Sequence, residues 1–477
     1  MAFGRPLLIV LASLVDPSLA DVKASDRQPI DASDPPHCDR ASSCPSYGCP
    51  LLPRDVIYDK EANAALEILF GKGENDNDDE YPNTARVMQE LESSGSEDAV
   101  TLTLVGYKGG RLEDQINQDR AFIISPFRIP PATSDSSTDV CIARDDLFTE
   151  EHSFGDQARL LGVFDGHDKH GEIVSEYATK TVPKLISRKL ALQKERESQD
   201  GVWTEEKRIQ ETKQILTDSF LEADRVGRAE LDIPRGGCTA SVILQIGPML
   251  YVANTGDSRS IIATYSETTE QIEVVYTSRE DKPDLPDERK RVEGSGGIVR
   301  TRGSGDPYRV YYVDQDGQQQ GGLAMSRALG DWDLRDKGVI PDPIVDVLDV
   351  NDLVVANKAI CGADNADEDK ARDGDENDKL EGTCSAANTT DEADIRVFAI
   401  SATDGMTDFL TPEGVASAIG SSLFGNKEES RDNETVQQSN LFAASFKLII
   451  QAANSWQQAY EGKYRDDIAI AASIIKM

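Results

Sequence analysis

The sequence predicts an α+β protein in which antiparallel sheets are covered by helices, and two observations predict it. Short apolar and β-branched runs arrive in hairpin-like pairs, and long segments with apolar residues at helical spacing are grouped between the pairs. No repeat of solenoid length interrupts this order. The first strand pattern is residues 99–105 (AVTLTLV), and others follow at 160–164, 241–246, 250–253, 272–276, 397–402 and 468–475. Helical patterns cover 172–192, 204–230 and 435–460. Thr204 followed by two glutamates, and Glu434 before the third segment, put capping and acidic groups where helix N-termini favour them. Pro183 is expected to kink or split the first helix, because it lacks an N–H and its ring crowds the preceding turn.

The chain has 477 residues, room for one large domain with extensions or for two domains. Its 86 acidic and 50 basic residues leave a formal charge of −36. That balance excludes a general nucleic-acid binder, since phosphate backbones are held by Lys and Arg, and argues against adsorption to an anionic membrane. Hydrophobic residues make up 38%, enough for a packed core with some chain left outside it.

Residues 1–20 hold one basic residue, Arg5, then an apolar run from Pro6 to Val15, then the small residues Ser18 and Ala20. This is the layout of a secretory signal peptide, so the expected location is the secretory pathway or outside the cell. The alternative is the cytoplasm, if the run is only an apolar N-terminus. No other stretch approaches the roughly twenty apolar residues of a membrane helix, so no membrane span is expected. Among the 7 cysteines, Cys38, Cys44 and Cys49 cluster early; they could staple that loop or pair with Cys361 and Cys384. A zinc knuckle with His37 is the weaker option, because the spacing matches no usual paired motif.

Residues 21–98 read as an acidic, mobile extension with one helix-like segment at 61–70, and the main domain begins at 99. Residues 73–98 and 361–395 together carry −17 of the −36 without apolar periodicity, the mark of solvated loops. The second insert is not an EF-hand. With Gly374 at the sixth position, Asp369 and Asp373 fit, but Ala371 and Leu380 stand where oxygen ligands are required.

The informative feature is a set of aspartates at strand ends. Residues 160–164 run into Asp165-Gly166-His167, and 397–402 run into Thr403-Asp404-Gly405 with Asp408 one turn later. Residues 250–253 lead to Asp257, residues 468–475 follow Asp466-Asp467, and Asn117-Gln118-Asp119 precedes residues 121–124. Any single Asp-Gly reads as turn chemistry. Five strands ending alike favour convergence on hard cations such as Mg²⁺ or Mn²⁺, because a carboxylate emerging from a buried strand needs positive charge beside it. Gly166 and Gly405 would let backbone approach such ions closely.

In order, the chain then carries Asn117-Gln-Asp119, Val163-Phe-Asp-Gly-His167, Gly237-Cys-Thr-Ala240 and Val252-Ala-Asn-Thr-Gly-Asp-Ser-Arg259. Asp281-Lys-Pro-Asp284 follows with Glu288, Arg291 and Gly296-Gly297, then Leu323-Ala-Met-Ser-Arg-Ala-Leu-Gly-Asp331, Ala402-Thr-Asp-Gly405 and Arg465-Asp-Asp-Ile468. This collinear set over residues 99–477 resembles the type 2C, metal-dependent serine/threonine protein phosphatases. The resemblance implies a central sandwich of two antiparallel sheets flanked by helices on both sides, with a two-metal site at one end. It implies hydrolysis of phosphoserine and phosphothreonine in phosphoprotein substrates by a metal-activated water, in a monomer. Asp165 would bridge two Mg²⁺ or Mn²⁺ ions and Gly166 would offer its carbonyl. Asp404 and Asp466 would bind one ion, and Asp119 would act on the other side through water. Asp257 and Asp408 match residues linked in some members to a third, weaker metal, and His167 matches a residue proposed to protonate the leaving oxygen.

Three departures stand out. Gln118 occupies a position where many members have Glu. The arginine expected to hold substrate phosphate is off its usual spacing, with Arg111 nearest in kind and Arg120 nearest in sequence. Asp168-Lys169-His170 replaces a smaller Gly-containing segment. Residues 279–322, the most basic stretch, correspond to a variable flap in the family; they read either as a solvated segment or as an attractor of phosphorylated substrates. The first two departures motivate the alternative of a catalytically weakened binding module on the same fold. A secreted acidic calcium binder fits the composition but not the ordered motifs. A cysteine-dependent phosphatase is excluded because the phosphate-loop arginine position after Cys38 holds Cys44.

Overall fold

The computed structural model describes residues 57–58, 87–90, 99–111, 115–125, 127, 158–199, 201–233, 235–303, 305–355, 395–424 and 436–475. In chain order the elements begin with β1 (Ile57–Tyr58), β2 (Val87–Glu90), β3 (Ala99–Leu104), β4 (Arg120–Ile124), β5 (Arg159–Phe164) and β6 (Gly166–His167). Helices α1 (Gly171–Gln199) and α2 (Glu205–Glu230) follow, then β7 (Gly237–Cys238), β8 (Ala240–Ile246), β9 (Met249–Thr255), β10 (Arg259–Ser266) and β11 (Ile272–Thr277). Next come α3 (Pro286–Gly294), β12 (Ile298–Arg300), β13 (Arg309–Val313), β14 (Gln319–Leu323), β15 (Leu329–Gly330) and β16 (Ile344–Asp349). The chain ends through β17 (Ile395–Ala402), the single turn α4 (Asp404–Thr407), α5 (Pro412–Phe424), α6 (Val436–Ala459) and β18 (Ile468–Ile475).

Two antiparallel sheets dominate, one in the order β1-β2-β3-β18-β17-β10-β11 and one in the order β16-β9-β8-β5-β4. Alternate residues of each strand explain how they stack. In β5, Leu161 and Val163 join Val252, Val397 and Ala469 in the core between the sheets. Leu160 and Phe164 face the other way, onto Val182, Ile186 and Leu190 of α1 and Phe220 of α2. In β17, Val397 and Ala399 face inward, while Phe398 and Ile400 pack on Val415 and Ile419 of α5 and Leu448 and Trp456 of α6. With both faces covered, the strands are apolar throughout, and burial of each large side chain contributes about 1.5–3 kcal/mol. The architecture is the expected α+β sandwich with helices on both outer faces.

The expected strands and helices occur, with differences at particular places. Thr204 caps α2, its side chain accepting from the Lys207 N–H. Pro183 does not split α1: it is buried within one continuous helix, where burial of Val182, Leu185 and Ile186 around it outweighs one missing hydrogen bond. β10, β16 and the flap strands are not among the expected strands, although Ile261-Ile262 of β10, Ile344-Val345 of β16 and Tyr311-Tyr312 of β13 are strand-forming pairs. Residues 279–322 are not simply a solvated segment, since α3 and β12–β14 close a small core of Val292, Val299, Val310 and Leu334. From the extension, β1 pairs with β2 and β2 with β3. The signal-peptide segment 1–20, the helix-like segment 61–70, Cys38, Cys44, Cys49, Cys361, Cys384 and the insert 361–395 lie outside the described residues. Cys238 is buried and unpaired. Among the described residues no helix is long and apolar enough to cross a membrane.

Candidate active site

Strand register brings the aspartates together. β4 pairs Arg120 with Phe164 of β5, so Asp119, one residue before β4, and Asp165, one residue after β5, leave the sheet side by side. In the facing sheet, Ala402 pairs with Arg259 and with Ile470, so Asp404, Asp257 and Asp466 emerge together. Asp119, Asp165, Asp257, Asp404, Asp408, Asp466 and Asp467 share this end of the sandwich with the ammonium groups of Lys108 and Lys282.

The cost of that convergence is visible in the acidities. Burial pushes the Asp119 carboxyl well above the usual range, and the charges of Asp467 and Asp466 push it further. Burial does the same to Asp165, followed by Asp119, Asp404, Asp466 and Asp257. Asp404 is raised by burial and then by Asp257, Asp466 and Asp408, with Lys282 opposing. Asp408 is pushed up to about 6, chiefly by burial. Among the described residues, both carboxylate oxygens of Asp119 and Oδ1 of Asp257 are buried without a well-formed hydrogen bond, although the Thr403 side chain lies near enough to Asp119 to favour its charged form. Buried anionic oxygens left unpaired are costly unless a cation meets them.

Two lysines supply part of the positive charge. Lys108 Nζ lies 3.1 Å from Asp466 Oδ1 and 3.1 Å from Asp467 Oδ2, and donates to Gln118 Oε1 at 3.2 Å. Lys282 Nζ lies 2.8 Å from Asp257 Oδ2. Asp467 is turned inward, where its oxygens also accept the backbone N–H groups of Gly106 at 2.5 Å and Gln118 at 3.2 Å, so it ties β3 to β18. Asp466 accepts from the Tyr464 hydroxyl at 2.9 Å and from the Asp467 N–H at 2.9 Å.

The residues fit a divalent metal site, by the chemistry of an all-oxygen donor set and by its unpartnered oxygens. No three His, Cys, Asp or Glu side chains among the described residues stand ready to hold one ion together.

Gly166 and Gly405, expected to admit ions closely, are also required by backbone packing. A Cβ on Gly166 would lie 2.5 Å from the Gln118 carbonyl oxygen, and one on Gly405 would collide with the Asp467 carbonyl oxygen. The Gln118 amide spans two neighbours, its Nε2 donating to the Asp168 carbonyl at 2.8 Å and to Glu172 at 3.0 Å while its Oε1 faces Lys108. Arg111 is exposed, whereas Lys108, three residues before it, reaches Asp466 and Asp467. Arg120 clamps backbone, donating to the Asn117 and Asp119 carbonyls at 2.8 Å each and pairing with Glu176.

His167 Nε2 lies 2.6 Å from Oδ2 of Asp331, and its Nδ1 is buried without a partner among the described residues. Burial lowers its pKa, but the charge and hydrogen bond of Asp331 prevail and raise it. His170 is partly exposed, and its carbonyl accepts the N–H groups of Ile173 and Val174 at the start of α1.

The basic flap is less available than its composition implies. Arg279 and Arg327 each lie 2.7 Å from Glu288 Oε1 and Arg291 2.5 Å from Oε2, so part of the flap's charge is spent inside an ion cluster. Lys108, Lys282, Asp331 and Asp467 are the site residues that sequence reasoning did not assign. Lys282, Asp331 and Asp467 lay within quoted motifs; Lys108 was hidden by the segment separating it from Asn117-Gln118-Asp119.

A sandwich of two antiparallel sheets between helix layers, with acidic groups gathered at one end, defines the α+β class to which this chain belongs. The protein phosphatase 2C family model matches residues 132–438, well over half of the chain, and the chain belongs to that family. The probable protein phosphatase 2C 48 of Oryza sativa subsp. japonica is 35% identical over 209 residues, covering 39% of this chain and 54% of the relative. The probable protein phosphatase 2C 72 of Arabidopsis thaliana is 28% identical over 314 residues, covering 65% of this chain and 75% of the relative. The chain spans about half the length of the first two curated relatives it matches. The crystal structure of serine-threonine phosphatase 2C from Toxoplasma gondii superposes with a TM-score of 0.50 at 17% identity, covering 82% of this chain and 99% of that one, which is a likeness of fold.

Proposed function

We propose that this protein hydrolyses phosphoserine and phosphothreonine in phosphoprotein substrates, with Mg²⁺ or Mn²⁺ held by the aspartates at the end of the sandwich. The observation that carries this reading is the convergence of the buried Asp119, Asp165, Asp404 and Asp466 carboxylates from separate strand ends. Asp165 and the Gly166 carbonyl would serve two ions, Asp404 and Asp466 one of them, and Asp119 the other through water. Asp257 and Asp408 would offer a third site. Ions there would acidify a water and neutralise phosphoryl oxygens.

The chain's own residues do the rest. Lys108, at the rim of the carboxylates, is the cation we assign to substrate phosphate in place of the exposed Arg111. His167, held at Nε2 by Asp331, is the proton donor to the leaving oxygen through Nδ1. In this reading residues 99–477 form the catalytic domain, with 279–322 as its flap, and the protein works as a monomer. The secretory location is proposed from residues 1–20; an intact Met1 or Ala2 start in protein from its own cell would overturn it.

The test is hydrolysis of a phosphothreonine peptide by the full chain with Mn²⁺, with EDTA, and in Asp165→Ala and Asp404→Ala. Turnover that needs Mn²⁺ and falls at least about 100-fold in both variants is expected. Mn²⁺ binding without turnover above the two variants would establish the binding module instead.

A further inference from the structure

We propose that Asp331 is the positioning residue of His167, its carboxylate accepting the Nε2 hydrogen bond so that Nδ1 is the nitrogen presented to the leaving oxygen. This rests on the phosphatase reading above and adds to it a residue for which the sequence suggested no role. The pair is short, 2.6 Å, and both side chains are largely shielded, at 17% and 5% exposure. With Nε2 so engaged, Nδ1 is the ring nitrogen left without a partner among the described residues.

The fold spends strain to put that carboxylate there. Asp331 has φ +44, a left-handed backbone that a residue with a side chain adopts at some cost. Its neighbours fix it on both sides. The Asp331 N–H donates to the Gly236 carbonyl at 2.9 Å. Asp224 of α2 accepts from the Gly330 N–H at 2.9 Å, the Trp332 indole at 3.1 Å and Arg335 at 2.7 Å. Between the partners lies Gly237, which pairs with His167 on one side and Gly330 on the other. A Cβ there would collide with the Asp331 carboxylate and stand 2.7 Å from His167 Nε2. A strained aspartate, braced from a helix, and a glycine that makes room for the contact all serve one hydrogen bond.

That hydrogen bond selects a tautomer. As the bond from phosphorus to the leaving oxygen breaks, its electron pair stays on that oxygen, which takes the Nδ1 proton. The ring is left neutral with its proton on Nε2, the form Asp331 stabilises, and regains the Nδ1 proton from water.

The experiment compares the full chain with Mn²⁺ on two substrates, a phosphothreonine peptide, whose alkoxide leaving group needs a proton, and p-nitrophenyl phosphate, whose leaving group does not. In Asp331→Asn the ratio of kcat on the peptide to kcat on p-nitrophenyl phosphate is expected to fall at least about tenfold, with KM for the peptide little changed. Asn tolerates left-handed backbone, so this variant should fold. Gly237→Ala, which displaces the pair while leaving both side chains chemically unchanged, should lower the same ratio. In a His167→Ala background Asp331→Asn should add no further loss. Equal losses on both substrates, or full additivity with His167→Ala, would overturn the positioning role while the phosphatase reading stands. A wild-type chain that turns over neither substrate overturns both.

Discussion

Lys282 Nζ stands 2.8 Å from one oxygen of the buried Asp257 carboxylate, whose other oxygen has no partner among the described residues. A tethered cation therefore offsets part of the charge that a divalent ion would offset. Replacing it separates the two contributions. Lys282→Met should lower the stability of the metal-free protein by about 3 kcal/mol, because a buried carboxylate loses its counter-charge. The same variant should bind Mn²⁺ more tightly, by about tenfold in a calorimetric titration, since the ion no longer competes with the ammonium. Unchanged Mn²⁺ affinity would show that Lys282 lies outside the reach of the ions.

Asp165 should display a conflict between stability and function. Burial and four neighbouring carboxylates disfavour its charge in the metal-free fold, so the neutral Asp165→Asn is expected to melt higher than wild type without metal. Saturating Mn²⁺, at about 100 times its Kd, should stabilise wild type by about 2.7 kcal/mol and the variant much less. Thermal melts with and without EDTA read both effects.

Lys108 and Arg111 are distinguished by kinetics. Lys108 reaches the carboxylates and Arg111 stands exposed on the adjoining segment. Lys108→Met is expected to lower kcat/KM for a phosphopeptide about tenfold, the size of one charged hydrogen bond. Arg111→Met should change it by less than about twofold, and a reversal of that ranking would return the phosphate role to Arg111.

The ion cluster under the flap predicts an acid limit. Burial works to raise the Glu288 pKa, but hydrogen bonds from Arg291, Arg327 and Ser326 outweigh it and hold the carboxyl well below its usual value of 4.5. Its folded pKa lies below the unfolded one, so this stabilisation is complete above about pH 4.5 and is lost as pH falls further. Asp281, pushed up to about 6 mainly by burial, has the opposite sign between 3.8 and 6. Glu288→Gln isolates the first effect: it should melt lower at pH 7, by about 3 kcal/mol of stability, and show a flatter decline below pH 4.5.

The fold was legible because each central strand is apolar on both faces and each outer helix has one apolar stripe, as Leu160 to Phe164 and Val182 to Leu190 illustrate. The sequence by itself determined the strand-end positions of Asp119, Asp165, Asp257, Asp404 and Asp466, because turns and apolar runs are local features. It also carried the family, in the order of the motifs. What only tertiary structure decided is which groups meet those aspartates. Lys108 reaches Asp466 across 358 residues, and Asp331 reaches His167 across 164, through strand register and a braced left-handed turn. Charge compensation in a buried site is a long-range condition, and no window along the chain encodes it.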